Sequence, residues 1–483
     1  MDKFFKLSAS KTNVRTEIIA GLTTFFTMAY IIFVNPQMLV MAGTEANPMS
    51  AGGVFVATIL AAAVGTLVMG LVANVPYAQA PGMGLNAFFT FVVCGSLGFQ
   101  WQEALALVFI CGIINIIITA TKIRKSIIKA IPESLQNAIG GGIGIFIAYI
   151  GVKNAGLLSF TADPGKYTVS EFGVMVSDSS IVPALVDFKE LAPVLALVGL
   201  AIMIVLVVLK VKGALVIGII LITIISVITG IGQPGGVSPV IDKIVDIDAI
   251  GDVQHTAFAF FGDIGFKSMF ADASRILLVI VTVFAFSLSD TFDTIGTFIG
   301  TGRVSGIFDE SDEKALTDGK GFKSKMDRAL FADATATSVG ALLGTSNTTT
   351  YVESAAGISA GGRTGLTSVV VAILFLICLP FSKLFGLVPS IATAPALIVV
   401  GIMMMASFVH IKWDDFEVAA PAFMTVIIMV FAYNISYGIA AGFLFYCIIM
   451  LCKGKITKVH PILIGATLLF ILNFVITAIG VGM

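Results

Sequence analysis

Three carboxylates stand where a carboxylate is costly. Asp290 and Asp293 lie in Phe286-Ser287-Leu288-Ser289-Asp290-Thr291-Phe292-Asp293-Thr294, and Glu353 lies in Thr350-Tyr351-Val352-Glu353-Ser354, both set among long apolar runs. A charged side chain in hydrocarbon costs at least about 2.5 kcal/mol, and acids that persist there face a protein interior or a water-filled cavity. The i,i+3 spacing of Asp290 and Asp293 puts both on one face of a helix. No Lys or Arg stands within either segment, which argues against inert buried ion pairs. Desolvation disfavours the charged form of a carboxylate, so such an acid can take up a proton and release it when exposed to the other side. A carboxylate also accepts hydrogen bonds from the N–H groups of a heterocycle. Together these properties suit a proton-coupled carrier, with Asp290 and Glu353 as candidate ligand acceptors and Glu353, Asp293 and Asp290 as candidate coupling groups.

The elements that must position these acids are unusual. Segments 82–95 and 347–360 are apolar but interrupted, by Pro81-Gly82-Met83-Gly84-Leu85-Asn86 in the first and by Gly344-Thr345-Ser346-Asn347-Thr348-Thr349-Thr350 in the second. Glycine lets the chain leave helical geometry, and the β-branched run Thr348-Thr349-Thr350-Tyr351-Val352 favours an extended one. Non-helical backbone at membrane depth is tolerated only inside protein or along a cavity, and its N–H and C=O groups are then available to a polar planar ligand. A half-helix is expected to begin near Asn86 and another near Ser354, each aiming its positive end at the site. Phe88, Phe89, Tyr30 and Tyr351 offer flat faces to a ring, although aromatic residues of this kind more often fill a core. Asp333, in Phe331-Ala332-Asp333-Ala334, reads as a helix-end acid or a gate.

The rest of the chain explains why hydrocarbon is the relevant solvent. Its 483 residues are 57% hydrophobic and 12% charged, against about 25% charged for soluble chains, and the mean hydropathy is +1.03. A helix needs about 20 apolar residues to cross a bilayer. Such runs recur at 17–40, 52–73, 104–121, 136–156, 192–209, 213–231, 275–300, 328–344, 365–381, 389–407, 417–433 and 436–452, and the two interrupted segments bring the count to fourteen. A further apolar run at 461–480 either spans or lies against the bundle. If both interrupted segments cross, the basic clusters Lys3–Arg15, Lys122–Lys129, Lys210–Lys212, Arg303–Arg328 and Lys453–Lys458 all fall on one side. An excess of Lys and Arg marks the cytoplasmic side, so the N-terminus is expected in the cytoplasm. The first run lacks the short apolar core and small-residue cleavage site of a secretory signal, so it is expected to remain in the mature chain.

The two halves correspond. In each, the third element is short and interrupted, and the sixth and seventh runs are joined by a brief link, Lys210-Val211-Lys212-Gly213 or Tyr433-Asn434-Ile435-Ser436. An odd number of spans per half inverts the second half in the membrane, and paired interrupted segments in inverted repeats point to a transporter's binding site. No Walker A sequence is present, so ATP does not drive transport directly. Gly140-Gly141-Gly142-Ile143-Gly144 lies within an apolar helix and reads as a close helix contact. Cys94, Cys111, Cys378, Cys447 and Cys452 match no metal or redox spacing. His255, His410 and His460 show no ligand spacing either, and a net charge of −1 gives no sign of a nucleic-acid partner.

Three stretches carry a resemblance. Gln79-Ala80-Pro81-Gly82-Met83-Gly84-Leu85-Asn86-Ala87, Ser289-Asp290-Thr291-Phe292-Asp293-Thr294-Ile295-Gly296 and Gly344-Thr345-Ser346-Asn347-Thr348-Thr349-Thr350-Tyr351-Val352-Glu353-Ser354 resemble the AzgA-like purine permeases, which belong with the nucleobase–cation symporters and nucleobase–ascorbate transporters. The opening Asn13-Val14-Arg15-Thr16-Glu17-Ile18-Ile19-Ala20-Gly21-Leu22-Thr23-Thr24-Phe25 is similar too, and the likeness runs along nearly the whole chain. It implies an all-α polytopic membrane protein of fourteen spans in two inverted seven-span repeats, with short antiparallel strands in segments 3 and 10. The implied core domain comprises residues 1–135 (spans 1–4) and 274–387 (spans 8–11), and the gate domain 136–273 (spans 5–7) and 388–483 (spans 12–14 and the last apolar run).

The resemblance further implies proton-coupled uptake of adenine, guanine or hypoxanthine across the cytoplasmic membrane by an elevator motion of core against gate. No cofactor is implied beyond the proton gradient, and homodimerisation through the gate is implied. Asp290 and Glu353 match the acids that bind the base, Asn86 a polar residue needed for transport, and Asp293 a second nearby acid; backbone at Tyr351 and Val352 should face the ligand, and Thr350, Phe88 and Tyr30 are further candidate ligand contacts. Rival readings are a carrier of xanthine, uracil or another small planar solute on the same fold, an anion transporter of sulfate-permease architecture, which would favour a positive site, and a passive channel, which would want polar residues along a whole pore. An enzyme fits least.

Overall fold

The computed structural model describes residues 2–121, 130–161, 167–170, 173–176, 182–231, 248–271, 275–298, 306–308, 312, 324–381 and 387–479. The basic stretch 122–129 and most of the connector 304–327 lie outside the described residues.

After a short helical turn at Asp2–Phe5, α1 (Val14–Met28) starts where the Asn13 side chain accepts from the Thr16 amide. The first predicted span, 17–40, lies within one apolar helical stretch, Val14–Ala42, that is locally irregular: α1 ends at Met28 and α2 (Ile31–Leu39) begins beyond Ala29-Tyr30, both still in right-handed helical conformation. The turn tightens there, with the Ile32 amide on the Ala29 carbonyl and the Phe33 amide on the Tyr30 carbonyl. Tyr30 faces inwards at this junction. Helix α3 (Ala51–Val68) is capped by Ser50 and leads through wider turns to Asn74 in left-handed conformation. Strand β1 (Gln79–Pro81), the half-helix α4 (Met83–Ala87) and its widened continuation Phe88–Ser96 form the first interrupted segment.

Then come α5 (Trp101–Ala120), α6 (Glu133–Asn154), the short strands β2 (Leu158–Thr161), β3 (Tyr167–Ser170), β4 (Gly173–Val176) and β5 (Val182–Leu185), α7 (Leu191–Val208) and α8 (Ala214–Thr229). The strands pair as β2 with β5 and β3 with β4, structure that the loop 157–190 did not announce. The second half holds α9 (Ile276–Thr297), α10 (Lys325–Leu343), β6 (Thr348–Thr350), α11 (Ser354–Ser359), α12 (Gly365–Ile377), α13 (Ser390–Met404), α14 (Phe416–Phe431), α15 (Ile435–Cys452) and α16 (Pro461–Ile479). Among the described residues, seven helical stretches are long and apolar enough to cross a membrane.

Two packing clusters organise the helices. In one, α10 lies against α3 and α5; in the other, α6 lies against α13 and α14. Small residues set both. A Cβ at Gly112 would come within 2.3 Å of the Ser338 hydroxyl, and one at Gly401 within 2.4 Å of the Gly144 carbonyl. The glycine cluster at 140–144 is therefore a helix crossing, where backbone meets backbone without a side chain between. The last apolar run is a helix lying on the bundle: Phe470 meets Phe284 and Phe443, Phe474 meets Tyr437, and Thr467 meets Cys447.

Candidate functional site

The site is built at a crossing of two very short strands. β1 and β6 pair antiparallel, with Gln79 opposite Thr350, Ala80 opposite Thr349 and Pro81 opposite Thr348. Pro81 cannot donate, so the ladder is completed from outside it: the Gly82 amide donates to the Asn347 carbonyl (2.9 Å) and the Tyr351 amide to the Ala78 carbonyl (3.0 Å). At Gly82 a Cβ would lie 2.6 Å from the Thr349 methyl, so only glycine lets the strands close. The neighbouring helices clamp the pair in matching ways. On α3, Thr66 donates to the Gln79 carbonyl and accepts from its amide; on α10, Thr337 donates to the Thr348 carbonyl. Buried backbone polar groups need such partners, and a threonine on the preceding long helix supplies one in each half.

The first half-helix begins at Met83 and not near Asn86. Asn86 therefore sits one turn inside α4, fully buried, where its side-chain carbonyl accepts from the Ser346 hydroxyl and its amide lies 3.5 Å from the Pro81 carbonyl. It ties the two interrupted segments together. The second half-helix begins at Ser354, as read from the sequence, immediately after Glu353.

Of the predicted acids, Glu353 and Asp293 are half-buried and Asp290 is sealed. Val352, beside Glu353, is 45% exposed although its neighbours Tyr351 and Ser354 are buried, so this edge of the crossing opens outwards. Asp293 lies within electrostatic reach of Glu353. The Tyr30 hydroxyl donates to Glu353 Oε1 at 2.8 Å, and the Tyr351 hydroxyl donates to the Pro81 carbonyl at 2.6 Å. Phe88 and Phe89 are fully buried, Phe88 edge-on to Phe286 with centroids 4.7 Å apart. Asp290 lies behind β6: its Oδ2 accepts from Asn115 of α5 (3.0 Å) and from Thr337 (3.2 Å), the same threonine that holds Thr348.

Asp333 corrects the sequence reading most. It is neither at a helix end nor at a surface, but within α10 and 4% exposed. Its Oδ1 accepts from Thr350 (2.7 Å), Thr294 (2.8 Å) and Gln79 (3.3 Å), joining both strands to α9. Thr294 also meets Thr349 at 2.7 Å. Asn115, Gln79, Thr66 and Thr337 were missed as well. Asn115 carried a usable signal, since a polar amide within twenty apolar helical residues needs a buried partner; the threonines carried none. Among the described residues no cluster of His, Cys, Asp and Glu is arranged to hold a metal ion. Half-buried acids, an open edge and strand ends pinned by side chains make a polar crossing inside a bundle of apolar helices.

A profile of the Permease family (xanthine/uracil type) matches residues 15–441. The chain belongs to this family. Guanine/hypoxanthine permease PbuG of Bacillus subtilis is 41% identical over 479 residues, covering 98% of this chain and 99% of that protein. Adenine permease AdeP of Escherichia coli is 37% identical over 475 residues, covering 98% and 96%. The permease is thus a relative of the nucleobase–ascorbate transporters, as the motifs at 79–87, 289–296 and 344–354 indicated, and is a membrane transport protein, not an enzyme. Among solved structures, the transmembrane domain of the cyanobacterial bicarbonate transporter BicA matches with a TM-score of 0.57 at 15% identity, covering 88% of this chain and 97% of that one. At that identity the likeness concerns the fold alone, a helical polytopic transporter architecture.

Proposed function

We propose that this permease takes up purine nucleobases (hypoxanthine, guanine or adenine) across the cytoplasmic membrane, coupled to protons. The observation that carries the reading is the open edge of the strand crossing, where Glu353 adjoins exposed Val352 and has the half-buried Asp293 within electrostatic reach, in a chain whose relatives across nearly their full length are guanine/hypoxanthine and adenine permeases. A purine presents ring N–H donors that a carboxylate accepts, and strand-end backbone at Tyr351 and Val352 offers a directional partner for the rest of the ring edge. Glu353 is the ligand acceptor and the leading coupling group. Asp293 is the second acid at the edge, and Asp290, held by Asn115 and Thr337, supports β6 from behind.

In this reading the chain has fourteen spans in two inverted repeats, with the N-terminus in the cytoplasm. The matched threonine clamps Thr66 and Thr337 support that internal symmetry. The α3–α5–α10 cluster is the core, the α6–α13–α14 cluster the gate, and the core slides against the gate as an elevator. Homodimerisation through the gate belongs to the same reading. The test is uptake of labelled hypoxanthine, guanine, adenine, xanthine and uracil into proteoliposomes, with and without an inward proton gradient. Gradient-dependent accumulation of a purine is expected; accumulation of none, or accumulation indifferent to the gradient, overturns the proposal.

A further inference from the structure

The first span reaches the Glu353 carboxylate through Tyr30. This residue is 1% exposed, so its ring is not a face on which a ligand can lie. Its hydroxyl reaches Glu353 Oε1 at 2.8 Å, and Thr27, one turn earlier, brings its hydroxyl to 3.5 Å from the Glu353 carbonyl. No other side chain of the described residues hydrogen-bonds the Glu353 carboxylate. The geometry follows from the local fold. Glu353 is the N-cap of the half-helix, but its side chain makes no capping bond to the helix that would fix it, whereas Tyr30 is locked by burial at the junction between α1 and α2.

We infer that Tyr30 is the positioning residue for Glu353: its O–H holds one carboxylate oxygen in place and leaves the other directed to the open edge for the ligand. The inference rests on Glu353 being the ligand acceptor. A carboxylate free to rotate would have to be ordered anew with each binding event, and a neutral donor on one oxygen removes that cost while adding no charge to the site. The contact also joins the first span to the second interrupted segment, so motion of that span at Tyr30 would reach the acid directly.

The test is a double-mutant cycle in proteoliposomes, with wild type, Tyr30→Phe, Glu353→Leu and the double variant, and with Glu353→Gln alone beside it, measuring equilibrium purine binding together with the KM and maximal rate of uptake. Tyr30→Phe keeps the buried ring and removes only the donor. A hydrogen bond to a charged group supports a loss of about tenfold in affinity, and this is expected to appear in the KM of Tyr30→Phe with the maximal rate much less changed. In the Glu353→Leu background, which leaves no acceptor at position 353 for the Tyr30 hydroxyl, adding Tyr30→Phe should change binding by less than about twofold. Glu353→Asp, which withdraws the carboxylate while leaving Tyr30 intact, should reproduce the KM defect even if Tyr30→Phe folds poorly. Equal losses from Tyr30→Phe in both backgrounds would assign Tyr30 a packing role and overturn the inference, as would wild-type KM in both Tyr30→Phe and Glu353→Asp. If instead Glu353→Gln binds purine as wild type does, it is the placement of Glu353 in the site that fails, a separate outcome.

Discussion

Replacing Asp333 by alanine tests whether the strand crossing is held together by this one carboxylate. Its Oδ1 collects Thr350, Thr294 and Gln79, from β6, α9 and β1. Hydrogen bonds between membrane-embedded elements contribute about 0.6 to 1.7 kcal/mol each, so three of them sum to about 2 to 5 kcal/mol. Two donors keep an alternative: Thr294 still has Thr349, and Gln79 still lies 3.4 Å from Thr350. The expected loss therefore falls near the lower end, about 2 kcal/mol. Asp333→Asn, which retains an acceptor oxygen, should lose about half as much. The assay is thermal unfolding of detergent-solubilised protein followed by size-exclusion fluorescence, with Thr335→Val as control, since Thr335 bonds only within its own helix to the Phe331 carbonyl. Melting should fall in the order wild type and Thr335→Val, then Asp333→Asn, then Asp333→Ala. An Asp333→Ala variant that melts with the control and binds purine normally would refute the reasoning.

Other substitutions probe other parts. Gly401→Leu puts a side chain where Cβ alone would lie 2.4 Å from the Gly144 carbonyl; overpacking of this kind costs about 1 to 3 kcal/mol or more, so the yield of folded protein should drop sharply, with Gly140→Ala, whose nearest neighbour is 3.5 Å away, close to wild type. Glu17, fully buried in α1, accepts from the backbone amides of Arg363, Thr364 and Thr367 and from the Thr367 hydroxyl at the start of α12; Glu17→Ala should destabilise by about 2 kcal/mol or more, read as a lowered melting temperature. Val352→Phe should fill the open edge, lowering purine affinity at least tenfold in equilibrium binding while leaving the melting temperature within a degree or two of wild type.

How much of this was legible in the sequence depended on whether the signal was local. The interruptions were legible because glycine at Gly82 and the run from Thr348 to Val352 announce their own backbone, while the pairing of the two strands came from the family resemblance. That the chain is a helical polytopic membrane protein was legible because hydropathy is additive along a helix. The local irregularity at Tyr30 was hidden inside an uninterrupted apolar run, with no glycine to mark it. Asp333 was hidden for a different reason. Its partners stand 17, 39 and 254 residues away, so nothing beside it in the chain distinguished a structural hub from a helix-end acid. Asn86 was singled out, but as the head of a half-helix; the structure uses it within the helix, bonded to Ser346 across the crossing. The glycines of α6 were read correctly because close helix contact needs only small residues on one face, a property of the helix by itself.

The most direct measurement of the central claim is accumulation of labelled hypoxanthine, guanine and adenine in proteoliposomes carrying wild type or Glu353→Gln, each with and without an inward proton gradient. The account predicts that wild type concentrates at least one purine only when the gradient is present, and that Glu353→Gln concentrates none while remaining folded by size exclusion. Gradient-driven accumulation by Glu353→Gln at the wild-type level would contradict it.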